Sequence, residues 1–198
     1  MKKLISMFCA CVMMFTFVSA GAVDVQSESD SKKVLTASNI SSSEFEKSSK
    51  TILLKMDKPV TITYPDGSSE TFTLNENQNV MTRAGKNRIN VTRSINRLTW
   101  DADLVLWADC TWGNRQVTIL DKGLSVSTWM CELTEHSENI TVKSASNNNY
   151  AKVRATGLLT RHNLGTGDLN GTVNYDFELW ADPANSSQAY IHINDYNN

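Results

Sequence analysis

The chain has 198 residues, 40% of them hydrophobic and 20% charged, with 19 basic and 21 acidic side chains and a formal charge of −2. This length suits one domain with a core of its own. The acidic balance excludes a general electrostatic attraction to nucleic acid.

In chain order, the first feature is an export signal over residues 1–22. Lys2 and Lys3 form a positive start, and LISMFCACVMMFTFV follows as an apolar run of 15 residues. That run is shorter than the roughly 18–20 residues of a spanning helix, so no transmembrane segment is expected in the mature chain. Small residues then offer cleavage after Ala20 (V-S-A) or after Ala22 (A-G-A). Export removes Lys2, Lys3, Cys9 and Cys11, leaving 17 basic against 21 acidic residues, a formal charge of −4. Cys110 and Cys131 remain. Two cysteines in an exported chain, neither in a CxxC pair, predict a Cys110–Cys131 disulfide. Closing a loop of about 20 residues would contribute roughly 3 kcal/mol.

Residues 23–50 hold nine serines and few large apolar groups, which predicts a flexible lead-in. A short serine-capped helix around SSSEFEKSS, with Glu44 in its first turn, is the one local element suggested there. From residue 51 the texture changes to short alternating runs. TILLKMD and PVTITYPDGSSETFTL open the domain, with Pro65-Asp66-Gly67 as a hairpin turn, so 51–80 reads as a semi-independent first hairpin. RINVTRSI, DADLVLWADC, RQVTIL, GLSVSTWMC, ENITVKS, YAKVRATGLLTR, GTVNYDFELWAD and QAYIHIN continue the pattern. Turn formers separate them, and no amphipathic helix intervenes. The expectation is an all-β, mostly antiparallel sandwich of about eight to ten short strands over residues 51–198.

The tetrapeptide LWAD occurs at 106–109 and again at 179–182. In both places the strand has the same phase. Leu104, Leu106 and Ala108 share an apolar face with Cys110, and Tyr175, Phe177, Leu179 and Ala181 form the matching face of the second copy. Alternation sends Asp103, Trp107 and Asp109 to the other side, together with Glu178, Trp180 and Asp182. The flanks do not align, so shared strand composition explains the repeat better than duplication. A tryptophan with carboxylates two residues away suits stacking on a sugar while the acids accept hydroxyl protons. These six residues are the candidate binding site for a cell-wall or extracellular glycan. The competing reading is that each indole is simply covered. Trp112, beside Gly113 in a tight loop, is expected to be exposed, and Trp129 to pack near the disulfide.

Catalytic constellations are not recognisable. His192 alternates with Ile191 and Ile193, His162 enters a glycine-rich turn, and His136 sits in an acidic turn with Glu132 and Glu135. His136-Ser137-Glu138 lacks the PCxxC that a zinc deaminase requires. GTGDLNG has no βαβ context, and neither GxSxG nor HExxH occurs. No enzyme activity, metal or cofactor is therefore expected. A glycosidase-like use of the carboxylates at 101–109 and 176–182 would need a cleft that sequence does not reveal. The segment 81–98, with Arg83, Lys86, Arg88, Arg93 and Arg97 and no acid, carries the alternative reading of an antimicrobial or toxin-like effector acting on an anionic envelope.

The order of leader, serine-rich lead-in, TILLKMDKPVTITYPDGSSETFTL hairpin and short strands ending in LWADPANSSQAYIHI resembles small secreted Gram-positive proteins with a β-sandwich domain of unknown function. The resemblance implies secretion and a sandwich, and it brings no catalytic residues. The chain is thus expected to act outside the cell as a non-catalytic binding or structural module.

Overall fold

Alternation decides the strands. Over residues 60–63, 69–75 and 88–95 covered and open positions follow one another with period two, so each of these strands has an inner and an outer face. The computed structural model describes residues 34–76, 87–162, 165 and 169–195; the leader, Arg83 and Lys86 lie outside them. The elements run β1 (Asn39–Ser41), α1 (Ser42–Glu46), β2 (Thr51–Lys55), β3 (Val60–Thr63), β4 (Ser69–Glu76), β5 (Asn87–Asn96), β6 (Asp101–Gly113), β7 (Gln116–Trp129), β8 (Cys131–Val142), β9 (Ser144–Ser146), β10 (Ala151–His162), β11 (Leu169–Ala181) and β12 (Gln188–Ile193). They form a seven-stranded sheet, β1-β3-β4-β5-β6-β7-β9, and a five-stranded sheet, β2-β12-β11-β10-β8. Pairing is antiparallel except for β1 against β3. The all-β sandwich is the fold.

The core lies between the sheets. Phe72, Leu104, Leu106 and Ile119 of the larger sheet and Val153, Phe177, Leu179 and Ile191 of the smaller one are all fully buried. The turns obey local chemistry. Gly67, with φ of 82°, closes the β3–β4 hairpin, where Tyr64 N–H bonds to the Ser68 carbonyl at 2.9 Å. Asn114 and Arg115 take φ of 53° and 55° between β6 and β7, the left-handed pair that a tight hairpin twist favours.

The described part of the lead-in, residues 34–50, contains packed elements. Ile40 and Phe45 are buried, so β1 and α1 belong to the sandwich. Two large apolar side chains suffice to dock a short segment that serine content alone would leave loose. Ser41 caps α1: its Oγ accepts from Glu44 N–H at 3.3 Å, and Glu44 Oε2 accepts from Ser41 N–H at 3.1 Å. The described part of the first hairpin segment, residues 51–76, is shared between the two sheets. β2 pairs with β12 in the smaller sheet, while β3 and β4 belong to the larger one.

The expected Cys110–Cys131 disulfide is absent, and both thiols are free and buried. Cys131 Sγ donates to the Asp101 carbonyl at 3.3 Å. Cys110 stands nine residues further along β6, about 30 Å away at the rise of an extended strand, against a limit near 7 Å for bridging. The reason is a corner. β7 keeps Leu124 and Val126 towards the core, then Met130 takes φ of 55° and sends the chain into β8 of the other sheet. Sequence places both cysteines at strand ends without showing that these ends are opposite ones.

One charged group is buried between the layers. Arg93 points inward from β5, where its Nε donates to Glu70 Oε2 at 2.9 Å and its Nη1 to Asp195 Oδ1 at 2.9 Å. Arg97 also donates to Glu70, at 2.7 Å, as does the Tyr64 hydroxyl at 3.1 Å. Burial alone would raise the Glu70 carboxyl, but the two guanidiniums hold it below its ordinary value. The Asp195 carboxyl, by contrast, is pushed up by burial.

The outer face of the larger sheet is laid out in cross-strand rows. Thr61, Thr71 and Ser94 form one, Thr73 and Thr92 the next, and Asn75 and Asn90 a third. A fourth runs through Thr63, Ser69 and Asn96.

Candidate functional site

β10, β11 and β12 are consecutive antiparallel neighbours, so their outward residues fall into register. Lys152, Trp180, Tyr190 and Leu53 lie in one cross-strand row; Arg154, Glu178, His192 and Thr51 lie in the next. Tyr150 shares the outward phase of Lys152 just before β10. The result is an aromatic shelf on the outer face of the five-stranded sheet. The Tyr150 and Trp180 rings are 5.6 Å apart at 23°, His192 stacks on Trp180 at 5.2 Å and 26°, and Tyr150 meets Tyr190 at 4.7 Å.

Polar groups fix the shelf. Trp180 Nε1 donates to Glu178 Oε2 at 2.8 Å, and the Lys152 ammonium sits 3.9 Å above the indole. His192 Nδ1 and Thr51 Oγ1 are 2.9 Å apart. Arg154 grips Asp176 through both its Nε and Nη2, and Asn194 adds a 3.0 Å bond to Asp176. Burial, then the Tyr150 hydroxyl, raises the Tyr190 phenol, keeping it a neutral donor. Tyr150 and Lys152 also form one wall of a shallow hollow of about 390 Å³, lined further by Val142, Ala145, Ser144, Ser146, Asn148 and Asn149. Aromatic surface thus runs directly into a concavity of mixed apolar, hydroxyl and amide lining.

The six sequence-derived residues do not meet as one patch. β6 and β11 lie in different sheets, so Trp107 and Trp180 occupy opposite outer faces of the sandwich. Trp107 lies over Gly123 of β7, where an added Cβ would come within 2.5 Å of the indole. The Arg88 guanidinium lies 3.8 Å from the Trp107 ring centroid and is held by Asp109 at 2.6 and 2.9 Å. Trp107 and Asp109 are therefore engaged within the sheet. Asp103 is exposed opposite Ser94 and Ser127. Glu178 belongs to the shelf. Asp182 is buried: it accepts from Gln188 Nε2 at 2.6 Å and Ala184 N–H at 2.8 Å, shaping the β11–β12 turn.

Sequence reasoning did not place Tyr150, Lys152, Tyr190 and His192 in the site. The signal was present in the outward parity of YAKV and YIHI beside that of Trp180, once consecutive strands are paired. The other tryptophans reverse expectation. Trp112 donates from Nε1 to the Asp182 carbonyl at 2.7 Å and ties the sheets together. Trp129, at the β7–β8 corner, is 55% exposed because no disulfide stands beside it.

Elsewhere the chemistry is closed. Burial raises the Cys110 thiol to about 12, with Asp109 adding to the effect, and burial also raises Cys131. Of the basic stretch, Arg88, Arg93 and Arg97 each pair with carboxylates of the chain itself; Arg88 lies at the outer face with its guanidinium on Trp107, and Arg97 lies partly exposed over Tyr64. His136 stands 3.9 Å from Glu138 and His162 3.8 Å from Glu132, on an edge strand and its neighbour. Among the described residues no cluster of three His, Cys, Asp or Glu is arranged to hold a metal.

No protein-family model, curated protein or solved structure matches the chain.

Proposed function

We propose that the chain is an exported, non-catalytic binding module that holds a glycan on the outer face of its five-stranded sheet. The leader at 1–22 supports export. The observation that carries the ligand class is the continuity of the Tyr150–Trp180–Tyr190 shelf with the adjoining hollow. Sugars present apolar C–H faces and hydroxyl edges, and this surface offers a partner for each. Both indole faces already have protein neighbours, so a pyranose must displace the Lys152 ammonium from above Trp180. That substitution exchanges a contact worth about 0.5–1 kcal/mol for stacking of similar size, so single sugars bind weakly.

The test is a glycan array probed with the mature protein, followed by titration of any hit against Trp180→Ala and Tyr150→Ala. The expected result is a hit whose affinity falls about tenfold in each variant, the equivalent of roughly 1.4 kcal/mol. An array without a hit, or a hit indifferent to both substitutions, overturns the reading.

A further inference from the structure

On the opposite side of the sandwich, every outward position of β1, β3, β4 and β5 other than Arg88 is Ser, Thr or Asn, and none of these is buried. The contrast within the molecule is sharp: the outward positions of β10 and β11 carry Lys152, Arg154, Asp176 and Glu178. A chain with 19 basic and 21 acidic residues has charges to spare, and a merely solvated sheet face ordinarily displays them. Here, among the described residues, they stand at its margins: at Glu44, which Ser41 contacts, at Asp66 in the β3–β4 turn, at Asp101 and Asp103 on β6 and at the Arg88–Asp109 pair.

We infer that this neutral face is a second binding surface, for the flat exterior of an insoluble, uncharged polysaccharide. Three properties converge on that class. Hydroxyl and carboxamide side chains each donate and accept, so the face complements a ligand built of hydroxyls and offers no countercharge to a charged one. Neighbouring strands put these groups about 4.8 Å apart, and alternate residues along a strand put them about 6.7 Å apart, forming a grid of short side chains without a recess. A single sugar therefore gains too few contacts, whereas chains laid side by side meet many at once. The grid is also prearranged. Threonine is stiff at χ1, Thr61 and Thr71 hydroxyls bond across strands at 3.0 Å, and Asn75 Nδ2 donates to Thr92 at 3.4 Å. Ordering costs on binding are correspondingly small. This inference does not use the aromatic shelf and stands or falls separately from it.

The experiment is co-sedimentation of the mature protein with cellulose, chitin and insoluble β-1,3-glucan, alongside the Thr71→Lys/Thr92→Lys double variant and Trp180→Ala. The wild type and Trp180→Ala should pellet with at least one polymer, and the double variant should show at least a tenfold loss, about 1.4 kcal/mol. Thermal unfolding confirms that the double variant is folded. If it is not, Thr73→Ala carries the expectation at about a threefold loss. Wild type that stays in the supernatant with all three polymers overturns the inference, as does a folded double variant that pellets like wild type. Equal loss in Trp180→Ala would assign retention to the shelf and overturn it too. A self-association seen by sedimentation velocity and abolished by the lysines, without polymer retention, would make the face a contact between copies and likewise refute it.

Discussion

Arg93 carries a full charge at an inward strand position where its neighbours in phase are Val91 and Ile95. Its side chain is 5% exposed, and both of its carboxylate partners are buried as well. Removing one partner from such a cluster strands the others in a poorly solvating interior. Arg93→Ala should accordingly cost about 3–5 kcal/mol in urea unfolding. Arg88→Ala removes a mostly covered ion pair at the outer face and a cation–π contact and should cost about 1–2 kcal/mol, less than Arg93→Ala because water can still reach Asp109. Comparable losses in the two variants would contradict this account of the network. The cysteines give a second test at the same scale. With both thiols buried and shifted upward, native protein should react negligibly with a thiol reagent, and both thiols should titrate after denaturation. Native-state labelling of Cys110 at the rate of the denatured chain would show that its burial is wrong.

At the scale of elements, β6 and β7 are matched by one close approach. The Trp107 ring occupies the space over Gly123, so Gly123→Ala should destabilise by about 1–3 kcal/mol through overpacking. Trp107→Ala removes the obstacle. The double variant should then lose clearly less than the sum of the single changes, a coupling that a double-mutant cycle measures. Additive losses would mean that the indole moves aside freely. These strands also show how much could be read in advance. The phase of β6 and β11 follows from Leu104, Leu106, Phe177 and Leu179, because alternation is a local property written in adjacent residues. Which sheet each strand joins is not local. The separation of Trp107 from Trp180 and of Cys110 from Cys131 depends on the corner at Met130, a residue type that gives no hint of a left-handed backbone. Of the shelf, Trp180 and Glu178 were visible in advance. Tyr150, Tyr190 and His192 required knowing that the face they share is open.

For the whole molecule, the carboxylates set the response to acid. Glu70 is held below its ordinary value of 4.5 and Asp176 below 3.8 in the folded chain. Each is bound more tightly by protons once unfolded, so its contribution is complete above the unfolded value and is lost as pH falls through the folded one. Asp195 works in the opposite sense, since burial raises its value and the folded chain takes up its proton first. Stability should decline below about pH 4.5, and Glu70→Gln should flatten that decline while lowering stability at neutral pH. A wild-type stability independent of pH between about 6 and 3, or an unchanged slope in the variant, would remove the network from the explanation.

β2 finds its only named strand partner in β12, and Arg93 meets Asp195 just beyond it. A growing polypeptide that has not yet reached residue 195 has an unmatched strand near one end and, in its middle, a guanidinium that holds Glu70 but lacks its second carboxylate. Such a chain has no route to its native state while it is being made, because the contacts that close the smaller sheet span nearly the whole described sequence. It stays threadable until the last strand has been synthesised. Under the proposed export of the chain, that delay would keep it unfolded for passage, an advantage built into the topology. Moving β12 to the front of the chain by circular permutation should speed folding and slow export together.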